Sequence, residues 1–259
     1  MKLNDTQLSQ VDAQIKRLVK TDSYYGKKYR ELGISDVTSQ EAFEELPFSS
    51  KDDLRNAYPL GIQAVPDEEV VRIHSSSGTT GKPVIIPYTA KDVDDWATMF
   101  ARCYETAGVT KKDRVHITPG YGLWTAGIGF QAGAEKLGAM VIPMGPGNTD
   151  KQLQMMIDLE STVLTATSSY ALLLAEEIDK RGLKDKIHLK KGVFGSERWS
   201  EKKREYKDYL FSYKENEKSI SVTITHRELC LLLAHHQRRM MYGLNQVLDA
   251  WGMTADDID

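Results

Sequence analysis

The sequence has few cysteines and no strong excess of one charge. Its 259 residues contain two cysteines, Cys103 and Cys230, and neither belongs to a CxxC pair. A disulfide framework and a zinc site of four thiolates are therefore unsupported, and a reducing compartment is expected. The formal net charge of -3 provides no basic field, so the sequence predicts no nucleic-acid partner.

Long apolar runs are missing as well. No stretch approaches the ~18 uninterrupted apolar residues of a membrane-spanning helix, and the N-terminus lacks the apolar core of a signal peptide. Hydrophobic residues make up 41% and charged residues 27%, as in an ordinary globular protein. We expect a cytoplasmic protein with no membrane partner, built from one large domain or two small ones.

The first sixty residues are predicted to be helical. Apolar residues recur at helical spacing over residues 5–20, and a second helix from Tyr24 to Leu32 stops near Gly33, a favoured C-cap residue. Hydroxyl residues followed by acids, at Thr38 and Ser49, indicate two more helix starts. We interpret residues 1–60 as an N-terminal helical cover.

From Val70 onward, short β-prone runs alternate with helical runs. Two strands, at 70–74 and 84–88, are followed by further strands at 114–117, 139–143, 163–166 and 192–194, with helices at 90–107, 126–137, 149–159 and 168–181. This alternation predicts an α/β fold: a mainly parallel sheet with helices on both faces, over residues 61–205. The loops 118–122 and 195–199 should lie beyond the carboxyl ends of strands, where such sheets bind ligands. Residues 206–259 form a divergent tail, with a strand predicted at 219–225 and a helix at 228–251.

The most informative stretch is Ser75–Pro83, with the sequence SSSGTTGKP. Glycines at 78 and 81 let the backbone approach an anion, the hydroxyls add neutral donors, and Lys82 adds one positive charge. It is not a Walker A loop, because Pro83 stands where that motif has Ser or Thr. Taken alone, a Ser/Gly/Thr loop is more often a flexible hairpin.

This stretch and five others resemble the phenylacetate–CoA ligase family of adenylate-forming enzymes. The similar segments are LPFSSKDDLR at 46–55, RIH at 72–74 leading into the loop, YGLWTAG at 121–127, GAEKLGA at 133–139 followed by VIPM, and GSERW at 195–199. Five matches in the family's order, over about residues 20–203, make the resemblance specific. It implies a truncated AMP-binding domain of an acyl-CoA synthetase.

The resemblance implies a ligase with ATP, Mg²⁺ and CoA as cofactors and an aryl acid such as phenylacetate as substrate. Mg²⁺ would bridge phosphate oxygens and not occupy a protein cage, so no metal ligand is assigned. The phosphates would be held by Ser76, Ser77, Gly78, Thr79, Thr80, Gly81 and Lys82, with Thr79, Thr80 and Lys82 in catalytic roles.

Two further groups follow from the resemblance. Tyr121, Trp124, Ala126 and Gly127 would wall a pocket for the acid, although Tyr121 and Trp124 are also plausible core residues at a strand end. Gly195, Ser196 and Glu197 would lie beside the adenine, although this stretch also fits an ordinary strand-to-helix turn. Arg198 replaces the family's usual proline.

Other chemistry-bearing residues have plainer explanations. His235 and His236 are adjacent on a predicted helix and point about 100° apart, so we interpret them, with Arg238 and Arg239, as a solvated face. Cys103 lies on the apolar side of a helix and is expected to be a buried structural thiol.

The match ends near Lys203, and later family motifs have no counterpart. The segment 242–246, YGLNQ, lacks the Thr and Glu of the family's metal-binding motif and is interpreted as coincidence. We therefore expect weak or absent ligase activity from this chain. A non-catalytic nucleotide-binding remnant and adenylation of a different carboxylic acid remain alternatives, and a homodimer is left open.

Overall fold

A computed structural model describes residues 2–76, 82–195 and, for the backbone, 220–223. The chain divides into two compact units, with the boundary between Val93 and Asp94. In the part of the chain that the structure describes, no helix is long and apolar enough to cross a bilayer.

The first unit begins with four helices and their caps. They are α1 (Asp5–Leu18), α2 (Tyr24–Glu31), α3 (Gln40–Glu44) and α4 (Lys51–Asn56), followed by a short 3-10 helix at Asp67–Glu69. Side chains of Asn4, Ser23, Ser39 and Ser50 accept hydrogen bonds from backbone amides of the first turns, which satisfies donors that a helix start leaves unpaired. The predicted apolar face of α1 packs in one small core with α2 and its neighbours, which includes Ile15, Leu18, Tyr29 and Val37.

The first unit also contains an antiparallel hairpin. Strands β1 (Val70–Ser75) and β2 (Ile85–Thr89) pair with Ser75 opposite Ile85. The segment between them is the predicted phosphate loop, so the hairpin brings the two ends of that loop together.

The second unit alternates helices and strands. In chain order they are α5 (Ala90–Thr106), which starts in the first unit, then β3 (Arg114–Ile117), α6 (Ala126–Leu137), β4 (Met140–Pro143), α7 (Thr149–Asp158), β5 (Val163–Thr167), α8 (Ser168–Lys180), a 3-10 turn at Lys184–Lys186, β6 (Lys191–Gly195) and β7 (Ile220–Thr223).

The strands form one parallel sheet in the order β4-β3-β5-β6-β7. Successive residues of a strand face opposite layers. Val163 and Val193 pack in the core with α5 and α6, whereas Leu164 and Phe194 pack in a second core with α7 and α8. The sheet is therefore covered by helices on both faces.

These findings confirm the predicted fold class, a helical segment followed by a mainly parallel α/β sheet. Element bounds agree with the sequence to within one or two residues at most positions. Two predicted starts are displaced, because Ser39 and Ser50, not Thr38 and Ser49, supply the capping oxygens. The division into domains at residues 60 and 205 stays a prediction. The predicted tail helix at 228–251 and the His235–Arg239 patch lie outside the described residues.

Candidate functional site

The base of the predicted phosphate loop is held by two hydrogen bonds. The amide of Ser76 donates to the carbonyl of Val84 at 2.9 Å, and the amide of Val84 donates to Ser76 Oγ at 2.9 Å. Lys82, just after the loop, is exposed, and its Nζ lies 5.4 Å from the centre of the Tyr58 ring. Ser77, Gly78, Thr79, Thr80 and Gly81 lie outside the described residues. The base of the loop is thus closed, and the Lys82 side chain that follows the loop is accessible.

The sheet of the second unit has a topological switch point. The chain leaves β3 toward β4 on one side and returns to β5 on the other, an arrangement that opens a crevice at the carboxyl ends of the strands. A cleft of about 430 Å³ lies there, within the range of small-molecule sites. It is lined by Thr118, Pro119, Gly120, Pro146, Gly147, Thr167, Ser169, Tyr170 and Leu173.

The predicted loop position 118–122 at the carboxyl edge is therefore confirmed. Its backbone is packed against the start of α6, where the amide of Gly127 donates to the carbonyl of Gly120 at 3.1 Å. A Cβ at Gly127 would lie 2.6 Å from the Gly120 carbonyl oxygen and 2.9 Å from that of Pro119. The space that Gly127 leaves is thus filled by the loop backbone. Ala126 packs against the core below.

The two aromatic residues of the loop differ in their surroundings. Tyr121 is half-buried against the core, and its hydroxyl oxygen is buried with no hydrogen-bond partner among the described residues. Burial raises the pKa of Tyr121 to about 12, so the phenol remains a neutral donor at physiological pH. Trp124 is 48% exposed. The pair therefore offers one buried polar group and one accessible ring.

Gly195 ends β6 opposite Thr167, one of the residues lining the cleft. Ser196 and Glu197, which follow it, lie outside the described residues. Within the second unit the structure brings Gly195 to the same sheet edge as the loop that contains Tyr121, whereas Ser76 and Lys82 belong to the first unit.

Several cleft residues were missed by the sequence analysis: Pro146, Gly147, Ser169, Tyr170 and Leu173. They carry no motif. The signal that could have found them is topological, because the loops after β4 and β5 must reach the same edge as the loop after β3. Among the described residues, no three His, Cys, Asp or Glu side chains cluster in a way that could hold a metal ion.

Solved structures define the class of protein. A crystal structure of 2-hydroxyisobutyryl-CoA ligase with 2-HIB-AMP and CoA matches with a TM-score of 0.70 and 25% identity, over 79% of this chain and 50% of that chain. A second structure of that ligase, in its postadenylation state, matches with a TM-score of 0.71 over 81% and 47%. The fold is that of an adenylate-forming CoA ligase.

Sequence comparison narrows the class to a family. The chain is 42% identical over 205 residues to the phenylacetate-coenzyme A ligase of Pseudomonas putida, covering 78% of this chain and 47% of that protein. It is 44% identical over 184 residues to that of Escherichia coli, covering 70% and 42%. No protein-family profile matches. The chain is related to the N-terminal part of the phenylacetate–CoA ligase family, and it spans about half the length of these curated relatives.

Proposed function

We propose that this chain provides the substrate-binding part of an AMP-forming ligase that joins an aryl acid, phenylacetate, to CoA. The observation that carries the proposal is the kinship to phenylacetate-coenzyme A ligases, in a chain whose sheet has a cleft at its switch point. In the first step a carboxylate oxygen attacks the α-phosphorus of ATP, the α–β phosphoanhydride bond breaks, and pyrophosphate leaves. In the second step the CoA thiol attacks the acyl carbonyl, loses its proton, and displaces AMP.

The first unit would bind the phosphates. Ser76 through Lys82 supply backbone amides, hydroxyls and one ammonium group, and the Ser76–Val84 pair closes the loop base. Charge on the leaving pyrophosphate must be neutralised, and Lys82 with Thr79 and Thr80 is proposed for that role. Mg²⁺ would arrive bound to ATP and supply further positive charge for the phosphates, and no residue of this chain is assigned to hold it.

The second unit would bind the acid and the adenine. Tyr121, Trp124, Ala126 and Gly127 are proposed around the acid, and Gly195, Ser196 and Glu197 beside the adenine. The cleft supports an aromatic acid because several of its walls are apolar, among them Pro119, Pro146 and Leu173. A flat ring buries more area against such walls than a small aliphatic acid does.

A different carboxylic acid is the second candidate. The observation in its favour is that the two solved structures described above belong to a ligase crystallised with a 2-HIB adenylate. The acid must therefore be identified by direct comparison of phenylacetate with 2-hydroxyisobutyrate.

The test measures binding and turnover separately on the 259-residue chain. Calorimetry with phenylacetate, 2-hydroxyisobutyrate and a non-hydrolysable phenylacetyl-adenylate analogue should show the analogue binding most tightly and phenylacetate ahead of the aliphatic acid. Pyrophosphate release and thioester formation then report catalysis. Binding without pyrophosphate release would indicate a non-catalytic nucleotide-binding protein, and no binding of the adenylate analogue would refute the proposal.

A further inference from the structure

A buried polar network lies beneath the cleft. His116, in β3, is fully buried, and its ring contacts Gln152 Oε1 at 2.6 Å through Nε2 and Ser161 Oγ at 3.2 Å through Nδ1. Gln152 and Ser161 are buried as well. Gln152 lies in α7 and Ser161 shortly after it, whereas His116 is 36 and 45 residues away from them in sequence.

The hydrogen bonds of the Gln152 amide group determine which atoms donate and which accept in the rest of this network. Its Nε2 donates to the carbonyls of Gly145 at 2.7 Å and Gly147 at 3.1 Å, so its Oε1 must accept. His116 Nε2 therefore carries the proton, and Nδ1 accepts from the Ser161 hydroxyl. Burial lowers the pKa of His116, which agrees with a neutral ring.

The two carbonyls belong to the loop after β4. Pro146 and Gly147 of this loop line the cleft, and a Cβ at Gly145 would lie 3.7 Å from the ring of Tyr121. Gly145 and Gly147 both have positive φ angles, +72° and +84°, which places the intervening Pro146 between two left-handed residues. The loop thus contacts both the cleft and the ring of Tyr121, and Gln152 holds it at two points.

We propose that Gln152, oriented by His116, is a positioning residue that fixes the loop 145–147 and thereby sets the size of acid that the cleft accepts. Neither side chain lines the cleft, so both act through the loop. This inference rests on the proposed function, since it assumes that the acid occupies the cleft.

The test is Gln152→Met, which keeps the side-chain length and removes the carboxamide. Gln154→Met is the matched control, because Gln154 lies on the same helix and its amide donates to exposed Asp158. The two hydrogen bonds to the loop are lost together with the one from His116, so phenylacetate should bind about tenfold more weakly. A bulkier acid, 4-tert-butylphenylacetate, should lose less than about threefold, because a loosened wall tolerates it.

A second measurement does not depend on any ligand. Hydrogen exchange of the peptide spanning 144–148 should accelerate about tenfold in Gln152→Met, with β3 and β5 unchanged. If the wild-type chain binds no acid, the proposed function fails while exchange still decides whether Gln152 holds the loop. Unchanged exchange, or equal losses for both acids, would overturn the inference.

A second variant protects the test against misfolding. His116→Leu removes the donor that orients Gln152, with exposed His188→Leu as its control, and should reproduce the shift in acid selectivity. If both core variants fail to fold while their controls fold, the network serves stability alone and the inference is wrong.

Discussion

At the scale of single residues, Cys103 fills space in the core, whereas Gly127 leaves space for a neighbouring segment. Cys103 lies on the buried face of α5, and burial raises the pKa of its thiol to about 11. The thiol therefore stays protonated at physiological pH, and the prediction of a buried structural cysteine is confirmed. Gly127, by contrast, contributes by leaving space, which the loop after β3 occupies.

Substituting Gly127 tests how closely α6 and that loop must approach. In Gly127→Ala the new methyl would meet two backbone carbonyl oxygens, and overpacking of this kind costs about 1–3 kcal/mol. Better helix propensity returns up to about 1 kcal/mol, so we expect net destabilisation. Urea denaturation followed by tryptophan fluorescence measures it.

Gln131→Ala in the same helix is the control, since the side chain of Gln131 donates to Glu135 within α6. The displaced loop should also weaken phenylacetate binding by Gly127→Ala. Unchanged stability and unchanged acid affinity would show that the loop after β3 can move away from the added methyl group without cost.

At the scale of elements, Asp113 joins the amino ends of the parallel strands. It precedes β3, and its carboxylate accepts from Lys191 Nζ at 2.8 Å, from Thr162 Oγ1 at 2.9 Å and from the amide of Thr110 at 2.8 Å. Lys191 begins β6 and Thr162 precedes β5. Burial by itself would raise the pKa of Asp113, but these three donors outweigh it and lower the pKa below its usual value.

Because the pKa of the Asp113 carboxyl is lowered, the stability that its hydrogen bonds and ion pair contribute depends on pH. Its stabilisation is fully present above the unfolded pKa of about 4 and is lost as the pH falls through the lower folded pKa. We expect Asp113→Asn to lose about 1–3 kcal/mol at pH 7, and the difference from wild type to shrink below about pH 4. Urea titrations at several pH values measure both.

Asp179→Asn removes the same charge from an exposed ion pair with Lys184 and should cost well under about 1 kcal/mol. Equal losses in the two variants would show that Asp113 has no special role at the strand ends.

The strands that Asp113 joins were predictable from the sequence, whereas the contacts of Asp113 with Thr162 and Lys191 were not. Strand β3 is a short β-prone run between polar turns, so its bounds, Arg114–Ile117, could be predicted from pattern alone. The side-chain partners of Asp113 are Thr162 and Lys191, which are 49 and 78 residues away from it. No local sequence pattern encodes such a pairing.

The residues of the candidate site likewise include some that the sequence predicts and some that it does not. Tyr121 and Lys82 stand in recognisable motifs, while Tyr170, Leu173 and Pro146 reach the cleft only through the strand order β4-β3-β5. His116 looks like any alternating strand residue until Gln152 is seen 2.6 Å from its ring. Residues that act through tertiary contacts therefore remained invisible to sequence reasoning.

At the scale of the whole molecule, the proposed substrate contacts are divided between two units. The residues proposed for the phosphates, Ser76 to Lys82, belong to the first unit, and those proposed for the acid, such as Tyr121, belong to the second. This assignment predicts that the affinity for the ATP phosphates and the affinity for the acid can be changed independently.

Lys82→Ala is the sharpest test of that division. Loss of one charge-assisted contact of about 1.5–3 kcal/mol should weaken ATP binding by roughly tenfold to a hundredfold. AMP lacks the outer phosphates and should lose much less, and phenylacetate affinity should stay constant because its proposed contacts are in the other unit. Calorimetry with the three ligands measures all of this on one variant.

The control is Lys20→Ala, which removes the same charge from an exposed position at the end of α1 and should leave all three affinities unchanged. Long-range electrostatics would lower ATP affinity in both variants and would weaken with salt, whereas direct contact at Lys82 affects only one. Equal losses for ATP and AMP would place Lys82 near the α-phosphate alone. A fall in phenylacetate affinity as large as that for ATP would mean that the two units do not divide the substrates, and the assignment of roles proposed here would have to be abandoned.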